Sequence, residues 1–306
     1  MPKKASKPLT PSGPSKTGPP VTSRKAPPPT AVSAPTWCDK HITDFDLSTN
    51  TVIHGKPGAG KSTFLGYLPN PILLVSSREL GMVKIMQRGK LPQSIKDWIF
   101  PIDDHDGLMR MLDNIRLDCP PDRKCLAIDF GSDAERNLFT NITKARYGNK
   151  DDEFYNFGKG PSTAATRYWP EMIQLLEEIR TVTGLDVFVC FHSEPRPTKD
   201  PTEESYESWQ PKVHYKSWGV FDQWADNVLF FHMSAKLDKK NMLKVRATEG
   251  NHEVWAANAH PAIVSKARDD LASVVPWGDN PKGLVNYYWK AIHPNDPPPY
   301  PGVAEL

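Results

Sequence analysis

The run Gly55-Lys56-Pro57-Gly58-Ala59-Gly60-Lys61-Ser62 constrains this chain more than any other stretch, because it satisfies every fixed position of G-x-x-x-x-G-K-[ST]. Glycines at those positions let main-chain N–H groups curl around phosphate oxygens, and a helix that begins at the lysine adds about half a positive charge at its start. The flanks agree with that geometry. "NTVIHG" (50–55) reads as a buried strand, and "GKSTFLGYL" (60–68) opens a helix that Pro69 stops. In such a loop Lys61 reaches the β- and γ-phosphates, Ser62 holds Mg²⁺ through its hydroxyl, and the stretch from Gly55 to Thr63 forms the nucleotide cradle.

A strand–loop–helix unit needs a sheet to hold it. "PILLVSS" (71–77), "KCLAIDF" (124–130) and "LDVFVCFH" (185–192) are apolar runs of strand length, and "GLMRMLDNIRL" (107–117) and "RYWPEMIQLLEEIRTVTG" (167–184) carry helical spacing between them. Strand and helix in alternation predict an α/β fold with a mostly parallel sheet covered on both faces. "DNVLFFHM" (226–233), "NMLKVRATE" (241–249) and "HEVWAAN" (252–258) follow at hairpin spacing and are expected to extend the sheet. Asp129 closes the "CLAIDF" strand, the place of a second magnesium anchor. His192 ends the fourth strand and is expected to face the γ-phosphate.

Composition sets the remaining bounds. The first thirty residues hold six Lys or Arg, no acid and nine prolines, too little apolar surface to offset the entropy of ordering. Residues 1–36 are therefore expected to be a disordered basic tail, 37–280 the folded domain and 281–306 a proline-rich C-terminal extension. The whole chain is +2, so without the +6 tail the rest carries about −4, and any basic groove must be local. No apolar run is long enough for a membrane span, and the tail lacks a signal-peptide core, which together predict a soluble cytoplasmic protein. Cys38, Cys119, Cys125 and Cys190 show no paired spacing, and reduced thiols are expected.

"GKPGAGKST", "PNPILLVSSRE", "LAIDF", "VFVCFH" and "AIVSKARDDL", in that order, make about residues 48–275 resemble a RecA-like P-loop ATPase. More narrowly, they resemble the phage-type nucleotide-binding proteins of single-strand annealing and recombination, whose setting would be a host cytoplasm. The resemblance implies a helix-flanked sheet, ATP with Mg²⁺, action on single-stranded DNA, and homo-oligomers in which one subunit completes its neighbour's site. It also implies that Glu79, just past the second strand, is the water-activating carboxylate, with Arg78 as the alternative register. Lys266 and Arg268 match a K-x-R pattern that inserts cations into an adjacent subunit's pocket, a role worth on the order of 10³–10⁵ in rate for arginine fingers. Ser76 and Ser77 stand where acids often end the second strand, which implies slow hydrolysis or use of nucleotide as a clamp.

DNA-contacting loops are expected at 141–160, with Lys144, Arg146, Tyr147, Tyr155 and Phe157, and at 193–218, with Arg196, Lys199, Trp209, Lys212, Tyr215 and Lys216. Aromatic faces stack bases and cations follow phosphates, although Asp151, Asp152, Glu153, Glu203, Glu204 and Glu207 intervene. Either terminal segment is also a candidate site for a replication or recombination partner. The same core admits three other readings: a helicase or translocase, a non-hydrolysing nucleotide-dependent interaction module, and a P-loop kinase. The kinase needs an arginine-rich lid that the sequence does not offer.

Overall fold

Every residue of the first strand, β1 (Asn50–Gly55), is buried, because it runs through the middle of a sheet with a neighbour on each side. The structure is a computed structural model in which residues 48–79, 81–198, 204–234, 236–237, 247–248, 251–257, 260–304 and 306 are described. The expected tail at 1–36, Cys38, Lys199, Glu203 and most of the strand expected at 241–249 lie outside those residues.

The further strands are β2 (Pro71–Ser76), β3 (Ile99–Ile102), β4 (Cys125–Ile128), β5 (Asp186–Thr198), β6 (Tyr206–Pro211), β7 (Asn227–Met233), β8 (Lys236–Leu237), β9 (Ala247–Thr248), β10 (His252–Trp255) and β11 (Val274–Pro276). One sheet runs in the order β11-β10-β7-β1-β5-β4-β2-β3, with β6 attached to β5, and β8 pairs with β9 separately. Neighbours from β7 to β3 are parallel, whereas β10 and β11 join antiparallel; β10 provides the expected extension, β11 was not expected, and β9, the described part of the strand expected at 241–249, stands outside this sheet. The helices are α1 (Lys61–Tyr67), α2 (Gly81–Gln87), α3 (His105–Leu117), α4 (Gly131–Tyr147), α5 (Asp151–Tyr155), α6 (Lys159–Thr163), α7 (Trp169–Thr183), α8 (Tyr215–Trp224) and α9 (Pro281–Ile292).

Alternation along the strands divides the core into two layers. Val52, Leu74, Ile128 and Val189 join the layer with Leu108 and Leu112 of α3, Leu138 and Ile142 of α4, Leu176 of α7 and Phe221 of α8. Ile53, Leu73, Ala127 and Phe188 join the other, with Phe64 of α1, Met82 of α2 and Tyr288 of α9. Each of the Val, Leu, Ile, Phe and Met side chains contributes about 1.5–3 kcal/mol on burial, so both faces hold the strand ends that carry the site. Residues 281–306, set apart above as an extension, begin with α9, whose Leu284, Val285, Tyr288 and Trp289 are buried in the second layer.

Two expectations need correction. The loop expected at 141–160 is largely helical: α4 runs on to Tyr147, and α5, a 3₁₀ turn at Asn156–Gly158 and α6 follow. Leu138 and Ile142 stand four residues apart and are both fully buried, so the helix continues past the point where polar composition suggested a loop. In its described residues, the structureless interval expected at 193–218 is a pair of strands and a helix. β5 continues past His192 to Thr198 and pairs antiparallel with β6, and α8 follows. Pro195 and Pro197 occupy alternate positions where β5 has β6 as its single neighbour, which is where a strand tolerates a missing N–H.

Candidate nucleotide site

The glycine-rich loop joins β1 to α1 at the carboxyl ends of the parallel strands. Gly58 and Gly60 have φ of 80° and 92°, the left-handed region in which a side chain is strained. Gly55 is glycine for a different reason: a Cβ there would lie 2.3 Å from the carbonyl oxygen of Phe231 on β7. The buried Lys61 folds back over the loop, and its Nζ donates to the carbonyls of Gly55 at 2.8 Å and Lys56 at 2.9 Å. Both are neutral acceptors, so the ammonium charge is left without an ionic partner among these contacts.

Asp129 follows β4 directly, with its N–H bonded to the carbonyl of Leu74 at 2.8 Å. Its carboxylate takes hydrogen bonds from Ser62 and Cys190; burial raises its pKa, and those bonds and nearby Lys61 oppose the rise. Burial, followed by the Asp129 charge, pushes the Cys190 thiol well up, so it stays protonated as a donor. Paired hydroxyl and carboxylate oxygens beside a phosphate loop suit a hard divalent cation.

Across the cleft, Glu79 meets His192. His192 Nε2 lies 3.1 Å from one Glu79 oxygen and 3.4 Å from the other and donates its hydrogen to the carboxylate, while the His192 backbone N–H donates to Ser132 Oγ at 3.2 Å. Both side chains are partly exposed to the cleft. Of the two candidate registers, Glu79 lines the cleft and Arg78 is not among its lining residues. Ser76, noted above for replacing an acid, donates to Asp133 at 3.0 Å, so α4 brings a carboxylate to the place that the strand itself leaves neutral.

Two further side chains tie the loop to its surroundings. His54 is fully buried, with Nε2 2.6 Å from the Val264 carbonyl and Nδ1 2.9 Å from Ser193 Oγ. A carbonyl only accepts, so Nε2 carries the hydrogen and Nδ1 accepts from the serine. Burial lowers the His54 pKa to about 4. Lys56 places its Nζ 4.1 Å from the centroid of the Trp209 ring on β6.

The cleft encloses about 760 Å³ and brings together Pro57, Gly58, Gly60, Lys61, Ser62, Thr63, Glu79, Asp129 and His192. Lys266 and Arg268 lie elsewhere. Lys266 bonds the Asp222 carbonyl and pairs its backbone with Val228, near the start of β7, and Arg268 sits 2.7 Å from Asp226, at the opposite end of the sheet from the loop. Sequence reasoning missed Cys190, Ser132 and Asp133, and also His252, Trp277 and Asp279, which form a further wall. "WGD" at 277–279 signals only a turn; nothing in its spacing points to a ligand.

The family model described as AAA domain matches residues 48–268, more than half of the chain. The chain belongs to the AAA domain family. No curated protein matches it. This AAA domain is of the nucleotide-binding P-loop ATPase type. Among the described residues, no helix is long and apolar enough to cross a membrane.

Proposed function

We propose that this AAA domain protein is a Mg²⁺-dependent ATPase that acts on single-stranded DNA as a phage-type recombination protein. Its oligomers place Lys266 and Arg268 of one subunit at the nucleotide of the next. Lys61 leaves its carbonyl partners for the terminal phosphate, and Ser62 and Asp129 hold the metal, which supplies charge neutralisation there. Glu79 takes a proton from the attacking water as the new P–O bond forms and the bond to the β–γ bridging oxygen breaks, giving ADP and phosphate. His192 holds Glu79 in place by donating its Nε2–H.

The observation that carries the DNA reading is that the two expected contact segments are joined through Phe139 and Ser162, which lie just outside the first. Tyr155 (59% exposed) and Phe157 (92%) come from the first, and Tyr215 (67%) from the second. Lys216 Nζ bonds Ser162 Oγ, and the rings of Tyr155, Phe154, Phe139, His214 and Tyr215 are linked by centroid distances of 4.8, 5.1, 6.4 and 4.5 Å. Exposed aromatics interleaved with Lys159, Lys212 and Lys216 offer base stacking beside phosphate-seeking charge. β5 gives the connection, since one strand carries both His192 and the hairpin arm Ser193–Thr198.

Phosphate release measured without DNA, with single strands and with duplex tests this reading, with Lys61→Ala as the inactive control. Stimulation by single strands supports it. Release that no DNA changes removes the DNA part of the reading, and an active Lys61→Ala variant removes the site.

A further inference from the structure

The wall formed by His252, Trp277 and Asp279 has no role in the chemistry above. It lies at the carboxyl-end side of the sheet, because β11 runs parallel to β1 and β10 runs against it. The phosphate loop stands between two flanks. On the β5 side are Glu79 and His192; on the β10–β11 side are His252 and Trp277. A nucleotide whose terminal phosphate faces Glu79 therefore extends its nucleoside toward Trp277.

Trp277 is 5% exposed, and its six-membered ring covers Gly60 so closely that a Cβ there would stand 2.5 Å from Cζ2 and 2.6 Å from Cη2. Its Nε1, on the same edge of the indole, is buried with no hydrogen-bond partner. A buried donor without an acceptor is uncommon in folded proteins, and the residue that carries this one lines the cleft. The His252 ring packs against Trp277 with centroids 4.8 Å apart, and its Nδ1 lies 3.9 Å from the exposed carboxylate of Asp279. Trp277 and Asp279 lie beyond residue 268, where the family match ends.

From this we infer that the segment after β11 is a nucleoside subsite: Trp277 Nε1–H donates to an acceptor on the sugar–base end of a ribonucleotide, and Asp279 accepts from its ribose hydroxyls. The inference rests on the nucleotide reading of the cleft. It is tested by calorimetry on the full chain with two probes, MgATP and magnesium tripolyphosphate, which share the phosphates and differ in the nucleoside. Trp277→Phe keeps an aromatic ring at this position but removes the donor together with the Cζ2 and Cη2 atoms that cover Gly60, so tripolyphosphate reports separately on the loop; the expected result is about tenfold weaker MgATP binding with tripolyphosphate unchanged. Asp279→Asn, at an exposed position that leaves the core intact, is expected to weaken MgATP several-fold, about three- to fivefold, again sparing tripolyphosphate. Equal loss for both probes makes Trp277 a prop for the loop and overturns the inference, as does unchanged MgATP affinity in both variants. Wild-type protein that binds neither probe overturns the nucleotide reading itself.

Discussion

Protonation of His54 is expected to unlatch the fold in mild acid. Its folded pKa of about 4 lies below the ordinary 6.5, so between those values the unfolded chain binds a proton that the native chain refuses. Stability from this group is therefore complete above pH 6.5 and falls as the pH drops toward 4. Linkage over that window gives a loss of about 2 kcal/mol between pH 7 and pH 5. The largest cause is burial, and the nearby Lys61 charge adds to it, while the Nε2–H bond to the Val264 carbonyl opposes the shift; Nδ1 already accepts from Ser193.

His54→Gln isolates the effect, because an amide can still donate to the Val264 carbonyl and accept from Ser193 yet does not titrate. Urea unfolding of both proteins at pH 7 and pH 5 should show a wild-type decline larger than the variant's by about 2 kcal/mol. His105, His214 and His232, with lowered pKa values, and His293, with a raised one, remain in both proteins and cancel in the difference. Equal declines, within about 0.5 kcal/mol, would refute the assignment of acid sensitivity to this histidine.

Glu79→Gln should lower phosphate release by about 10²–10⁴ while nucleotide affinity holds, and a variant that hydrolyses normally would mean that another group activates water. Phe157 has φ of 51°, so Phe157→Gly should stabilise the fold by about 1 kcal/mol in thermal melts while weakening single-strand binding; loss on both counts would make the residue structural. Gly55→Ala should destabilise by more than about 2 kcal/mol, since its Cβ meets the Phe231 carbonyl oxygen; an unchanged melting curve would contradict the packing of β1 on β7. Mixing Lys61→Ala with Arg268→Ala protein should restore part of the lost ATPase activity, and no rescue at saturating protein would count against a shared site.

What could be read from the sequence follows the physics of each element. β1, β2, β4 and the first half of β5 were legible because parallel strands buried on both faces read as unbroken apolar runs. The arm of β5 beyond His192 was not, because its exposed positions are Pro195 and Pro197, which alternate with half-buried polar residues and mimic a loop. The glycine loop announced itself locally, since backbone geometry there dictates residue type. Glu79 and His192 were each visible as strand-end residues, but their contact spans 113 positions and depends on β5 and β4 lying beside β2. Trp277 carried no signal at all: its meaning comes from the sheet returning to the loop through two antiparallel strands.

The two side chains flanking Gly55 give the loop its reach into the rest of the domain. His54 bonds Ser193 at the base of the hairpin and Val264, two residues before Lys266. Lys56 rests on Trp209, whose N–H donates to the Ala262 carbonyl at 2.8 Å and whose own carbonyl accepts from Val264 at 3.1 Å. The β5–β6 hairpin, the 262–268 segment and the phosphate loop thus share one set of contacts centred on β1. Lys61 is held by the carbonyls of Gly55 and Lys56, so withdrawing it toward a phosphate frees acceptors on the residues beside His54 and bearing the Trp209 contact. Packed interiors transmit such shifts because they have no slack to absorb them. The hairpin and the cations of the 262–268 segment are therefore the parts of the domain placed to respond first when the loop changes its partners.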